Sequence, residues 1–159
     1  MAEEITRLAY DEARAALREQ DATLANVRNR ATGLLAAAAV GTSFAAGVGL
    51  LNTDPARGAT FPLWAGWTMF GLITSIGIGV SIVLWPVTRW SFGPHPAALL
   101  RHASHDADDT LRRATEAMIV AMASNDRLLT RRMTTYRITV GVLMIDILLL
   151  VAALLIREV

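Results

Sequence analysis

The residue best placed to do chemistry is Asp146, because it interrupts the otherwise uncharged, apolar run Ile138–Ile156. A carboxylate near the centre of a membrane-spanning helix costs about 2.5–3.5 kcal/mol on insertion scales, so such a group normally faces a partner or a wet cavity, or is neutral. One interpretation makes Asp146 a pore-lining, proton-responsive or subunit-locking residue, with Ser75 as a second intramembrane polar group. The other makes it a neutral acid hydrogen-bonded to Ser75, Thr74 or Ser81.

The second kind of chemistry that the sequence suggests is anion binding. Its candidates are two arginine pairs, Arg112–Arg113 and Arg131–Arg132. The planar guanidinium group binds phosphate through two parallel hydrogen bonds, which a lysine cannot do. The pairs are therefore candidates for an anion or nucleotide site, or for contacts with lipid headgroups. The second pair lies close to an apolar run, and headgroup contact explains it better.

Motifs for metal, phosphate-loop and nucleophilic chemistry are missing from the sequence. His102 and His105, with Asp106 or Asp109, have a spacing that a metal ion can use, but the only other histidine is His95 and there is no cysteine. A metal site is therefore not predicted. Neither a glycine-rich phosphate loop nor a nucleophile with an adjacent base is present. We predict a protein that is not an enzyme, has no cofactor and does not bind nucleic acid.

Three long apolar segments must position these residues: 31–51, 63–86 and 138–156. As helices that rise about 1.5 Å per residue, they are about 30 Å long, the thickness of a bilayer's hydrocarbon core. With 53% hydrophobic residues, the chain is too apolar for a soluble domain of this length. We predict an all-α integral membrane protein with three transmembrane helices, an outer loop at 52–62 and an outer tail at 157–159.

The distribution of charge predicts the orientation. All 15 basic residues are arginines, and 13 of them lie in segments 1–30 and 87–137. Because cytoplasmic loops carry the excess of basic residues, these two segments are predicted to be cytoplasmic. The chain would then lie in the bacterial inner membrane with its N-terminus inside and its C-terminus outside.

Both cytoplasmic segments are predicted to be helical. Segment 1–30 has no proline or glycine and is rich in alanine, leucine, glutamate and arginine. Segment 87–137 begins with a loop and a short helix at Ala97–Ala103. A long helix follows from Thr110 to Tyr136, with an apolar stripe that Asn125 interrupts. We predict two long helices, each extending a membrane helix, packed antiparallel.

Small residues recur at every fourth position of the first two spans. Because lipid tails are as apolar as leucine, close approach through small residues drives helix association in membranes. Such faces serve either contacts between the two spans of one chain or contacts between subunits, and we predict a homo-oligomer. The positions are Gly33, Ala37, Gly41, Ala45 and Gly49 in the first span and Gly71, Ser75 and Gly79 in the second.

The order helix, span, span, cytoplasmic helix, span resembles a group of small bacterial membrane proteins. Three blocks carry the likeness: Leu17–Gly47 (LREQDATLANVRNRATGLLAAAAVGTSFAAG), Val83–Leu100 (VLWPVTRWSFGPHPAALL) and Asn125–Leu155. They are similar to small actinobacterial membrane proteins of the kind that includes the transmembrane effectors of Pycsar anti-phage systems and the SLATT-domain effectors.

The resemblance implies an anti-phage effector. In those groups an upstream enzyme makes a nucleotide signal, the membrane protein assembles or opens, and the inner membrane loses its integrity. This chain has no separate nucleotide-sensing domain, so a signal would be read by the cytoplasmic helices, by an arginine pocket between subunits or by a partner protein. The alternative is a non-conducting scaffold that recruits a cytoplasmic partner through its helix pair.

Overall fold

The computed structural model describes residues 2–51, 63–87, 90–95, 97 and 107–157, and these residues form three long helices. Helix α1 is Ala2–Leu51, α2 is Leu63–Leu84 and α3 is Ala107–Arg157. The described part of the chain is thus all-helical, without strands, as predicted.

Local sequence explains where the helices begin and end. Acidic side chains lie in the first turns of α1 and α3, where they interact favourably with the helix dipole; those of α3 are Asp108 and Asp109. Helix α2 ends at Leu84, two residues before Pro86, which lacks the amide hydrogen that another helical turn needs. Helices α1 and α3 each run without a break from a charged stretch into an apolar one.

The chain divides into two compact units. Residues 1–26 and 86–131 form the charged unit, and residues 27–85 and 132–159 form the apolar unit. Helices α1 and α3 each contribute to both units, whereas all of α2 belongs to the apolar one.

In the charged unit, α1 and α3 run parallel, which corrects the antiparallel packing predicted from the sequence. Leu17 packs with Met118, and further along α1 the Gln20 amide donates to the Met122 carbonyl and to Asp126. Contact positions therefore advance together in both helices. The reason is topological: among the described helices, α2 lies between them in the sequence and runs opposite to α3, so the chain reverses twice.

In the apolar unit, α2 runs antiparallel to α3. Gly79 contacts Thr139, and the carbonyl of Val83 lies against Arg132, so positions that advance in α2 recede in α3. All three helices supply its core, which consists of Val27, Ala31, Leu34, Ala38, Ile76, Val80, Val83 and Leu143.

Two of the helices are long and apolar enough to cross a membrane. The candidate stretches lie in Trp64–Leu84, with mean hydropathy 1.9, and in Ala107–Ala153, with mean hydropathy 2.0. Only 28% and 22% of these apolar stretches are buried inside the molecule, whereas the core helix of a soluble protein is mostly buried. The large outward-facing side chains include Trp64, Trp67 and Leu148.

Several sequence-based expectations lie outside the described residues. They are the outer loop at 52–62, the short helix at 97–103 beyond its first residue, the burial of Gly49, the tail beyond residue 157, and His102, His105 and Asp106 of the rejected metal site.

Candidate functional site

Asp146 lies on the buried face of α3. It is 8% exposed and shares that face with Thr139, Leu143 and Leu150, which follow the three- and four-residue steps of a helix. The carboxyl group therefore faces the interior of the apolar unit. In a single copy of the chain it does not line an outer surface.

The buried oxygen Oδ1 of Asp146 has no hydrogen-bond partner among the described residues. Two of the three hydroxyls proposed from the sequence as its partners, which also included Ser81, serve their own helix: Thr74 donates to the Phe70 carbonyl and Ser75 to the Gly71 carbonyl, each at 2.8 Å. Ser75 is exposed. A buried polar atom without a partner costs about 1–3 kcal/mol, so the missing partner raises the free energy of this arrangement of the apolar unit.

Among the described glycines, Gly79 makes the closest contact, with Thr139 of α3. A methyl group at position 79 would overlap the Thr139 hydroxyl and lie 3.2 Å from both Cβ and Cγ2 of the same side chain. Thr139 is 3% exposed and donates to the Thr135 carbonyl, which holds its rotamer. Gly79 thus serves contact within the chain.

The small-residue face of the first span points away from the other described helices of the chain. A methyl group added at Gly33 or Gly41 would meet no atom of the described residues within 4 Å, and Ala37 is exposed. Gly71 of α2 is equally open. The buried residues of α1 lie beside this face, at positions such as Leu34 and Ala38. Most of this face is therefore uncovered by the chain's own helices.

Arg132 caps the C-terminal end of α2. Its guanidinium donates to the carbonyl of Val83 and, at 2.6 Å, to that of Trp85. These carbonyls lie in the last turn of α2 and one residue beyond it, where helical partners are lacking and the dipole is negative. Burial and then the positive charge of Arg28 lower the pKa of Arg132 from its usual value.

The structure does not bring the four arginines predicted from the sequence together. Arg112 pairs with Glu116 at 3.2 Å and Arg113 with Asp109 at 2.9 Å, both as exposed pairs within α3. Arg113 and Arg131 are about 27 Å apart along the axis at about 1.5 Å per residue. Together with the capping role of Arg132, this leaves no common phosphate pocket.

Sequence reasoning missed a groove in the charged unit. Asn125 is completely buried and holds the segment after α2 through both ends of its amide: it donates to the Ser91 carbonyl at 2.9 Å and accepts from the Ser91 amide at 3.2 Å. Gly93, with φ of 93°, then passes close to Leu17, where an added methyl group would lie 3.3 Å from its Cδ1. Asn125 interrupts the apolar stripe of α3, and this polar residue was the sequence signal that could have revealed the groove.

The segment held in this way forms one wall of a groove of about 410 Å³. Aromatic and cationic side chains line it together, which suits an apolar group that carries negative charge. The lining side chains from α1 include Tyr10, Arg14, Arg18 and Asp21, and those from the segment include Trp90 and Phe92.

Comparisons of the chain with protein-family profiles, with curated proteins and with solved structures give no match.

Proposed function

We propose that this chain is the subunit of a non-enzymatic, homo-oligomeric protein of the bacterial inner membrane that opens or disrupts the membrane, in anti-phage defence. The observation that supports this proposal most directly is the uncovered small-residue face of α1, which lies beside apolar helices whose surfaces are mostly exposed. The resemblance to transmembrane defence effectors supports the biological setting. In this arrangement three spans cross the bilayer, with the N-terminus inside and the C-terminus outside.

The proposed assembly uses the surfaces that one copy leaves open. Helix α1 contributes Gly33, Ala37 and Gly41, where another helix can approach closely, because no described side chain of the same copy occupies the space. The exposed apolar side chains of α2 and α3 face lipid or neighbouring subunits.

Asp146 supplies the proposed switch. In the closed arrangement its buried oxygen lacks a partner among the described residues, and this raises the free energy of that arrangement. Rearrangement that brings water or a neighbouring subunit to the carboxyl group removes the penalty. The residue then biases the equilibrium between closed and open assemblies.

Asp146→Asn tests this switch. The amide has the same shape, so we expect the oligomer to keep its mass in detergent. Ion leak or growth arrest on induction should change about tenfold, the effect of about 1.4 kcal/mol on the opening equilibrium. Asp11→Asn makes the same chemical change at an exposed site and should leave the leak unaltered. An Asp146→Asn protein with wild-type leak and growth would rule out a role for the carboxylate in opening.

A second candidate function is that of a membrane scaffold, and the groove in the charged unit favours it. Arg14 and Arg18 lie beside aromatic rings there, and the groove also contains one acidic residue, Asp21. These groups fit a partner segment with an apolar side chain flanked by carboxylates. A scaffold requires neither ion leak nor toxicity, which separates it from the effector.

A further inference from the structure

Two arginines of the apolar unit lie at the same level of its core, one on each long helix, because their sequence neighbours Val27 and Met133 belong to the same hydrophobic cluster. Arg28 belongs to α1 and Arg132 to α3, and both are half-buried. The charge of Arg28 acts on Arg132, as the lowered pKa of the Arg132 guanidinium indicates after the larger effect of burial. Two like charges held near each other in partly desolvated surroundings repel, so an anion between them would be stabilising.

The described part of the apolar unit offers no carboxylate to neutralise them. Asp146 is the only acidic residue described there, and it lies about 21 Å further along α3 than Arg132 at about 1.5 Å per residue. The Nε atom of Arg28 is buried and has no hydrogen-bond partner among the described residues. A buried donor of a charged group normally has an acceptor, so a turn of the Arg28 side chain that brings Nε to an acceptor would be stabilising.

The surroundings of the two arginines suit the boundary between hydrocarbon and water. Arg28 stands just before the first apolar segment, and Arg132 stands just before the third. The exposed ring of Trp85, whose carbonyl Arg132 holds, is of the type that lies at headgroup level. Exposed Arg137 adds positive charge to this end of the unit.

We propose that Arg28 and Arg132 form a binding site for the phosphate of one anionic phospholipid. Arg28 provides the charge-assisted hydrogen bond, because its guanidinium can turn so that the Nε donor, unused among the described residues, reaches the phosphate. Arg132 provides charge, while its two terminal nitrogens hold α2. The lipid therefore links α1 to the end of α2 through the two guanidinium groups. This proposal rests on the membrane placement proposed above.

The test titrates the full-length protein in dodecyl maltoside micelles with phosphatidylglycerol. Native mass spectrometry counts the lipid molecules that are bound. We expect Arg28→Gln to weaken binding more than about tenfold, as for loss of a hydrogen bond between charged groups. Arg137→Gln is the matched control, since it removes the same charge from an exposed position; about fivefold or less is expected.

The other arms identify the source of the phosphate. Phosphatidylcholine and inorganic phosphate should each bind at least tenfold more weakly than phosphatidylglycerol. Equal lipid binding by wild type and both glutamine variants would overturn the site, and inorganic phosphate that binds as tightly as the lipid would overturn its assignment to a phospholipid. If Arg28→Gln does not fold by circular dichroism, Arg28→Lys replaces it; wild-type affinity of that variant would show that no planar, Nε-based contact exists.

A separate result would reject the membrane placement. Protein that remains monodisperse without detergent and fails to float with vesicles containing phosphatidylglycerol would contradict that premise. Floating protein with unchanged lipid counts would contradict only the headgroup site.

Discussion

Gly79→Ala is expected to destabilise the apolar unit by about 1–3 kcal/mol, the cost of overpacking a close-packed interior. The added methyl group would occupy the space of the Thr139 hydroxyl. Threonine is stiff about χ1, and this hydroxyl already donates to the Thr135 carbonyl at 2.8 Å, so the side chain cannot turn away without losing that bond. Thermal unfolding in detergent, followed by circular dichroism, measures the loss.

Gly71→Ala is the matched control for this change. At Gly71 the same methyl group meets none of the described atoms within 4 Å. The free energy of unfolding should therefore stay within about 0.5 kcal/mol of wild type. A double-mutant cycle with Thr139→Ala isolates the contact, because removing the hydroxyl makes room for the methyl group. Additive effects of Gly79→Ala and Thr139→Ala would mean that α2 and α3 do not meet at this position.

Gly41→Leu together with Ala45→Leu is expected to break the oligomer while the single chain stays folded. A Cβ atom added at position 41 meets no described atom within 4 Å, so a leucine there can extend away from the other described helices of the same copy. Between two copies, the same bulk would hold the helices apart and forfeit close packing. A penalty of about 1–3 kcal/mol per contact corresponds to a 5- to 150-fold rise in the dissociation constant.

Light scattering in detergent measures the mass of the oligomer and so tests this prediction. Ala39→Leu adds the same bulk at an exposed position on another side of α1 and should leave the mass unchanged. If the Gly41→Leu, Ala45→Leu protein kept the wild-type mass, the small-residue face would not be the subunit contact. The contact would then be sought on α2, where Gly71 is open.

Local features of the sequence predict the helices because each depends on neighbouring residues. The long stretches without proline in α1 and α3, the stop near Pro86 and the apolar lengths of α2 and α3 are all visible in the residues themselves. The burial of Asp146 also agrees with its step of three from Leu143 and of four from Leu150.

Features that depend on distant residues escape such reasoning. Arg132 finds its carbonyl partners 49 and 47 positions away, and Asn125 holds Ser91 across 34 positions. The sequence shows the same four-residue spacing at Gly41 and Gly79, but only packing decides that Gly79 meets Thr139 while Gly41 stays open. The parallel course of α1 and α3 follows from counting chain reversals, which residue patterns do not display.

The most direct test of an oligomeric membrane effector is one paired measurement on the wild-type protein: its mass in detergent and the membrane potential of cells on its induction. We predict a defined multimer and depolarisation, because the uncovered face of α1 joins subunits and the assembled spans open the membrane. A monomer with an intact membrane potential, whether or not an infection signal is supplied, would contradict this function and leave the scaffold as the function to pursue.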